Sequence, residues 1–503
     1  MSRADAPLVA DTSRVDVEGM WKPTEDSLDA LLRILLEALP DEQRLRLNGI
    51  ERLVDEFLGR VRMRLWNATV AFLRELAEQR AARCPDCDHA CERSLAATSV
   101  AVAGLTLSVP TTHYYCRTCK RGWTPVAQWL GLHRGLVSGE FERQVVSLST
   151  RVSFHETAKQ MLLQHQQQVN VGKVERVTHA VARDAQTFIQ IQHDKAVRDL
   201  DLKPARMGVP LLLVTTDGGG APVGILKRPA PSDAKTFTPV RKLPTGKREQ
   251  THREMRAIVA HGPEERGEQR SVDVHLSVHD HPEVSGERML AVAAMAGLGS
   301  DTHVHGVFDM GTWIRPQFIA SFGTHNHTIC AAQQHVRKYL KAAASTMFDA
   351  EPERQRWLDD QEGHMNGGRW RSILNALGPG QQKEVVAARK YIQNHHEDMN
   401  NYGQLRARGL PVGSGEAEGA VRHMIRKREN IGGVWLEKHL PGIGALTSIW
   451  ESGLWEGFFR WREECDVEAF RARQTGEYRR RFRGEPTTGG RQHAIQEAPG
   501  VTV

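Results

Sequence analysis

The sequence predicts a mixed α/β protein, with a strand-containing core, an all-α N-terminal region and a cysteine-bearing β-hairpin module. Three observations predict it. Apolar residues recur at helical spacing across residues 25–82 and 138–200, short β-branched runs end in aspartate in the middle of the chain, and two Cys-x-x-Cys pairs bracket an alternating segment.

The 503 residues suffice for several domains. Charged residues make up 25% and hydrophobic ones 40%, the balance of an ordinary globular chain. No apolar run approaches the roughly 18 residues that a membrane span needs. The opening MSRADAPLVADTSRVDVEG has no apolar secretory core. A reducing, cytoplasmic setting without membrane association is therefore expected, and in it seven cysteines suggest metal or free thiols rather than disulfides. The net charge of +6 is modest, but bases cluster at 422–428, Lys242–Arg248 and Arg479–Arg483. Such clusters suit a polyanion, and they also suit solvated faces or tails.

Taken in order, residues 1–22 are expected to be disordered and 23–83 to form two or three amphipathic helices, with a break at Pro40-Asp41. Residues 84–136 form the cysteine module, in which Gly104 centres a hairpin. Residues 137–205 return to helical periodicity, with SFHETAKQML and VGKVERVTHAVARDAQTFI as a candidate DNA-binding helix-turn-helix. The core is expected over 206–350 and 406–435: a short strand LLLVTT ending at Asp217, strands near 255–261 and 271–278, a helix near 283–297, HVHGVF ending at Asp309, and a helix over 328–349. A polar, Pro-rich loop fills 228–250, and 351–405 is a helical insertion. A Trp-rich helical region, 436–483, precedes a disordered tail, 484–503.

Cys84-x-x-Cys87 and Cys116-x-x-Cys119 present two thiolate pairs on either side of the hairpin. Four soft ligands in a tetrahedron suit one structural Zn²⁺, in the manner of a zinc ribbon with a long hairpin. Cys91 lies off the paired pattern, and Cys330 and Cys465 read as core residues.

The carboxylates carry the second chemistry. Asp217 and Asp309 each follow an apolar strand, where ligand sites gather in open sheets. Two such carboxylates, joined by a third from a helix, can hold two Mg²⁺ (or Mn²⁺) ions about 4 Å apart. One ion activates water or a 3′-hydroxyl, and the other stabilises the leaving oxygen of a phosphodiester. The helix is GSGEAEGAVRHMIRKREN, where Glu416 and Glu418 flank the apolar stripe on opposite edges. Periodicity does not choose between them.

Three blocks together resemble the ISKra-type insertion-sequence transposases, a bacterial DDE group with a ribonuclease-H-like catalytic core. They are GLTLSVPTTHYYCRTCKRGWTPVAQWLGL, FDMGTWI, and LPVGSGEAEGAVRHMIRKRENIGGVW, spread over most of residues 84–460. The resemblance implies a catalytic triad of Asp217, Asp309 and Glu418 holding two Mg²⁺, and His335 as an auxiliary residue. It also implies action on transposon terminal inverted repeats and target DNA as a homo-oligomer in the nucleoid. On this reading Arg422, Arg426, Lys427 and Arg428 contact phosphates. The chain departs from the family where Ala332 replaces an acid three residues before His335, where Leu446-Thr447-Ser448 replaces Leu-Arg-Ala, and where FDMG replaces a Gly-rich turn. The competing expectation is a domesticated transposase of altered activity, acting as a zinc-ribbon DNA-binding regulatory or architectural protein.

Overall fold

A computed structural model describes residue 33 and residues 47–80, 83–84, 87–124, 137–226, 248–263, 273–430 and 434–474. The expectations for residues 1–22, the Pro40-Asp41 break, most of the 228–250 loop, the Arg479–Arg483 cluster and the tail lie outside these residues, as does all of the Lys242–Arg248 cluster but Arg248. The chain divides into two compact units, residues 1–100 with 107–130, and residues 101–106 with 131–503.

In the smaller unit, helix α1 (Leu47–Arg80) runs unbroken for 34 residues. Its Leu, Arg, Glu and Ala content favours a helix, and no proline interrupts it. Strands β1 (Glu92–Val102), β2 (Leu105–Cys116) and β3 (Arg121–Trp123) form a three-stranded sheet in that order. Most of β2 alternates buried and exposed residues, the period-2 signature legible in its sequence. Gly104 turns the hairpin at φ 75°, a left-handed conformation that glycine accepts at no steric cost.

Besides residues 101–106 of the hairpin end, the larger unit contains α2 (Gly139–Ser149), α3 (Phe154–His165) and α4 (Val171–Leu202). Each starts at a side-chain cap: Ser138, Ser153 and Asn170 accept the backbone N–H of Phe141, Glu156 and Lys173. The α3–α4 pair matches the two helices expected from the sequence. Helix α4 buries Val174, Val177, Val181, Ala185 and Phe188, so one of its faces belongs to the core.

The central sheet comprises β4 (Leu211–Leu226), β5 (Arg248–His261), β6 (Asp273–Val278), β7 (His303–Phe308) and β8 (Asn326–Ala331), in the order β6-β5-β4-β7-β8. Strands β4, β5 and β6 form an antiparallel meander, while β7 and β8 add in parallel beside β4. Helix α5 (Ser285–Met295) packs on β5 and β6, and α6 (Ile314–Phe322) packs on β7 and β8. The next helix, α7 (Gln333–Met347), is followed by the helical insertion α8 (Glu351–Asn366), α9 (Trp370–Leu377), α10 (Lys383–His395) and α11 (Tyr402–Ala407). Helix α12 (Gly415–Ala420) runs directly into a π-helical turn, Val421–Arg426. Finally α13 (Leu440–Glu451) lies against β6 and α4, and α14 (Trp455–Gln474) follows.

Two expectations change. Asp217 does not end its strand: β4 continues through the glycines to Leu226, paired with β5 throughout. The glycines read as a turn but sit where the sheet needs room, since a Cβ on Gly219 would meet Val421 and Ile425 of the π-helix at 3.0 Å. Residues 328–331 are strand rather than helix, because β8 is a sheet edge whose polar first half hides its alternation.

Register sets the two faces of the sheet. Val214 pairs with Gly306, where a Cβ would strike the Phe318 ring of α6 at 2.7 Å. Side chains alternate along β4, so Asp217 and Gly219 take the opposite face, the one covered by the π-helix.

Candidate functional site

Asp217 stands on β4 three residues past Val214, and Asp309 is the first residue after β7, three past Gly306. Val214 and Gly306 form the last pair of the parallel β4–β7 register, so each aspartate follows that pair by the same number of residues. Pairing of Phe308 with Ala331 puts Ala332 level with Asp309 on the third strand, where the N–H of Ala332 donates to Phe308 O at 2.7 Å. Ala332 is fully buried.

Glu418 reaches the same region from α12. An open cleft of about 410 Å³ is lined by Asp217, His335, Glu418, Arg422 and Arg426, together with Gly415 and Gly419. The two glycines leave open space on the helix wall, with nothing within 4 Å of a would-be Cβ. Glu416, the other candidate, is exposed and outside that lining. Asp309 does not line the cleft, yet its charge bears on Asp217. Burial raises the Asp217 carboxyl above its ordinary value, and repulsion from Asp309 and Glu418 adds to the rise. The Gly218 N–H, which donates to Asp217 Oδ1 at 2.7 Å, and the nearby His335 oppose it. Three acidic groups thus share one electrostatic neighbourhood.

The turn after Asp309 is strained. Met310 takes φ 67°, a left-handed conformation costing a non-glycine residue roughly 1–2 kcal/mol, and the buried side chain stays anchored in the core. The Gly311 N–H donates to Asp309 Oδ1 at 3.2 Å, and Tyr391 Oη of the insertion donates to Asp309 O at 3.3 Å.

Of the four bases expected to meet phosphate, Arg422 and Arg426 line the cleft, one helical turn apart, and both are exposed. Lys427 is exposed outside that lining, 3.3 Å from His423 Nδ1. Arg428 is a correction, because it is only 2% exposed and cannot contact a phosphate. Its guanidinium lies between the rings of Phe154 and Trp435, with centroids at 5.0 and 4.8 Å, and its Nε donates to Ser149 O. The following Glu429 is fully buried, accepts a 3.4 Å hydrogen bond from Ser277 Oγ, and is pushed up to about 8 by burial. Past the π-helical turn the chain directs this pair inward, while Arg422 and Arg426 face out.

His335 Nε2 lies 4.0 Å from Glu418 Oε1. Two further residues meet Glu418: Ser414, the serine of the Gly-Ser-Gly turn that opens the helix block, and Gln334, which carried no signal in the sequence. Gln334 Nε2 donates to Glu418 Oε1 at 3.3 Å and to Ser414 Oγ, and Ser414 Oγ donates to the same Oε1 at 3.4 Å.

In the smaller unit, Cys84, Cys87, Cys116 and Cys119 form a second candidate site. Their sulfurs all lie within 4.8 Å of one another, so the quartet can bind a metal such as zinc. The Cys119 N–H donates to Cys116 Sγ at 3.4 Å, and such backbone hydrogen bonds hold that thiol down at about 6. Cys91 lies outside the quartet, its thiol donating to His89 O at 3.5 Å, but near enough to Cys116 for the two thiols to interact. Among the described residues no other group of three or more candidate ligands is gathered in this way, the three carboxylates included. No described helix is long and apolar enough to cross a membrane.

No protein-family model matches this chain, and a comparison with curated proteins finds no match.

Proposed function

We propose that the protein is a DDE-type transposase with a ribonuclease-H-like core, cutting and joining DNA strands with a divalent-cation site built on Asp217, Asp309 and Glu418. The observation that carries this reading is the placement of Asp217 on β4 and of Asp309 just past the end of its parallel neighbour β7, with Glu418 in the cleft that Asp217 lines. An antiparallel meander with two strands added in parallel beside its first strand is the arrangement expected of such a core, and it supports the fold assignment.

The donor set fits Mg²⁺ or Mn²⁺: the acids are hard oxygen ligands, and their mutual repulsion at Asp217 is relieved by a cation. When bound, the ions supply nucleophile activation and stabilisation of the leaving oxygen. The chain's own part is to orient and hold. Arg422 and Arg426 grip the phosphate backbone beside the acids, and His335 stands by Glu418 to relay a proton. The cysteine quartet binds one structural Zn²⁺ that rigidifies the hairpin unit, and DNA ends are its expected partner, with the protein working as an oligomer on paired ends.

The test is cleavage of duplexes drawn from the flanks of its own gene, in Mg²⁺ and in Mn²⁺. Divalent-dependent nicking lost in Asp217→Ala and Glu418→Ala supports the proposal. Ala332, level with Asp309 and without an acid, favours the second reading, a DNA-binding protein that has lost cutting. Binding without cleavage by the unaltered chain in both ions selects it.

A further inference from the structure

A serine at the start of a helix ordinarily caps it by accepting a backbone N–H from the first turn. Ser414 precedes α12 in that position but makes no such bond. The residue is 3% exposed and its hydroxyl is committed elsewhere: it accepts from Gln334 Nε2 at 2.5 Å and donates to Glu418 Oε1 at 3.4 Å. Gln334, on the first turn of α7, also donates to that oxygen directly at 3.3 Å. Gly413 makes room for this amide, since a Cβ there would come within 3.0 Å of Gln334 Oε1. The helix start thus forgoes its own cap, and the loop between α11 and α12 gives up a side chain, to hold one carboxylate oxygen.

We propose that Gln334 and Ser414 are positioning residues: together they hold Glu418 by Oε1 and fix the conformation in which it serves the divalent-cation site. The inference rests on the function proposed above. A carboxylate on a six-residue helix, more than half exposed, otherwise samples several rotamers. Two donors converging on one oxygen select among them and leave Oε2 outside the clamp. Partners of this outer kind typically contribute tenfold or more to metal affinity.

Mn²⁺ binding by the full-length protein without DNA, followed by the electron paramagnetic resonance of free Mn²⁺, tests this apart from catalysis. Gln334→Ala and Ser414→Ala should each weaken binding about tenfold. The double variant should be little weaker than either alone, because the two act as one clamp. Ser414→Thr, which keeps the hydroxyl, should restore affinity. A merely structural role predicts lowered melting temperatures with unchanged Mn²⁺ affinity, and that result overturns the clamp. If the unaltered protein binds no Mn²⁺, or if Asp217→Asn binds as tightly as the unaltered protein, the divalent-site reading itself fails and the clamp with it.

Discussion

Asp217, on β4, and Asp309, just past the end of the neighbouring parallel strand β7, each stand three residues beyond the paired Val214 and Gly306. Repulsion between them helps raise the Asp217 carboxyl, so removing one acid should be visible at the other. Asp309→Asn is expected to lower the Asp217 value, because it deletes a negative neighbour and leaves the Gly218 hydrogen bond in place. Carboxyl carbon shifts followed by NMR through an acid titration check this. An unchanged Asp217 midpoint would mean that burial alone sets it.

The cysteine quartet predicts a stoichiometry. Purified protein should carry about one zinc per chain, and Cys87→Ser or Cys116→Ser should lose it, while Cys91→Ser should retain it. Metal content by atomic emission decides. Zinc retained in Cys116→Ser would remove that residue from the ligand set.

Arg428 and its neighbours Arg422 and Arg426 should separate cleanly. Arg428→Ala removes a guanidinium held between two rings and hydrogen-bonded to Ser149 O, and should cost about 2 kcal/mol of stability, read by denaturant melts. Arg422→Ala and Arg426→Ala should leave melting unchanged and weaken DNA binding, each reducing the salt slope of log affinity by about 1. Equal effects of all three on DNA affinity would contradict the burial of Arg428.

Glu429 gives a pH signature. With its carboxyl at about 8 when folded and the ordinary 4.5 when unfolded, the folded state holds the extra proton between those values. Its contribution is therefore fully present below about 4.5 and falls as pH rises towards 8. Glu429→Gln should flatten the melting temperature over that window and raise it at pH 8 relative to the unaltered chain. A parallel decline in both proteins would assign the slope elsewhere.

How far the fold was legible follows from where the signal lies. Helices α2 to α4 and the β1–β2 hairpin show in the text because period and caps agree, from Ser138, Ser153 and Asn170 to Gly104. Strand β8 did not, since its polar first half, Asn326–Thr328, lies at a sheet edge and shows no alternation of burial. The glycines after Asp217 mimic a turn, and only the helix packed above them explains their presence inside β4. Glu418 could not be told from Glu416 by spacing, because the choice depends on where α12 docks. Arg428 looked like its neighbours because charge runs carry no information about a π-helical turn. Gln334 gave no signal at all: its role exists only once α7 and the loop before α12 meet.

The most direct test is Mg²⁺-dependent strand cleavage of duplexes from the flanks of the protein's own gene, comparing the unaltered chain with Asp217→Asn, Asp309→Asn and Glu418→Gln. The account predicts that each variant binds the duplex like the unaltered protein and cleaves it more slowly by over about 100-fold, beyond the usual cost of losing an outer-shell partner. Cleavage by any one of the three at the unaltered rate would contradict it.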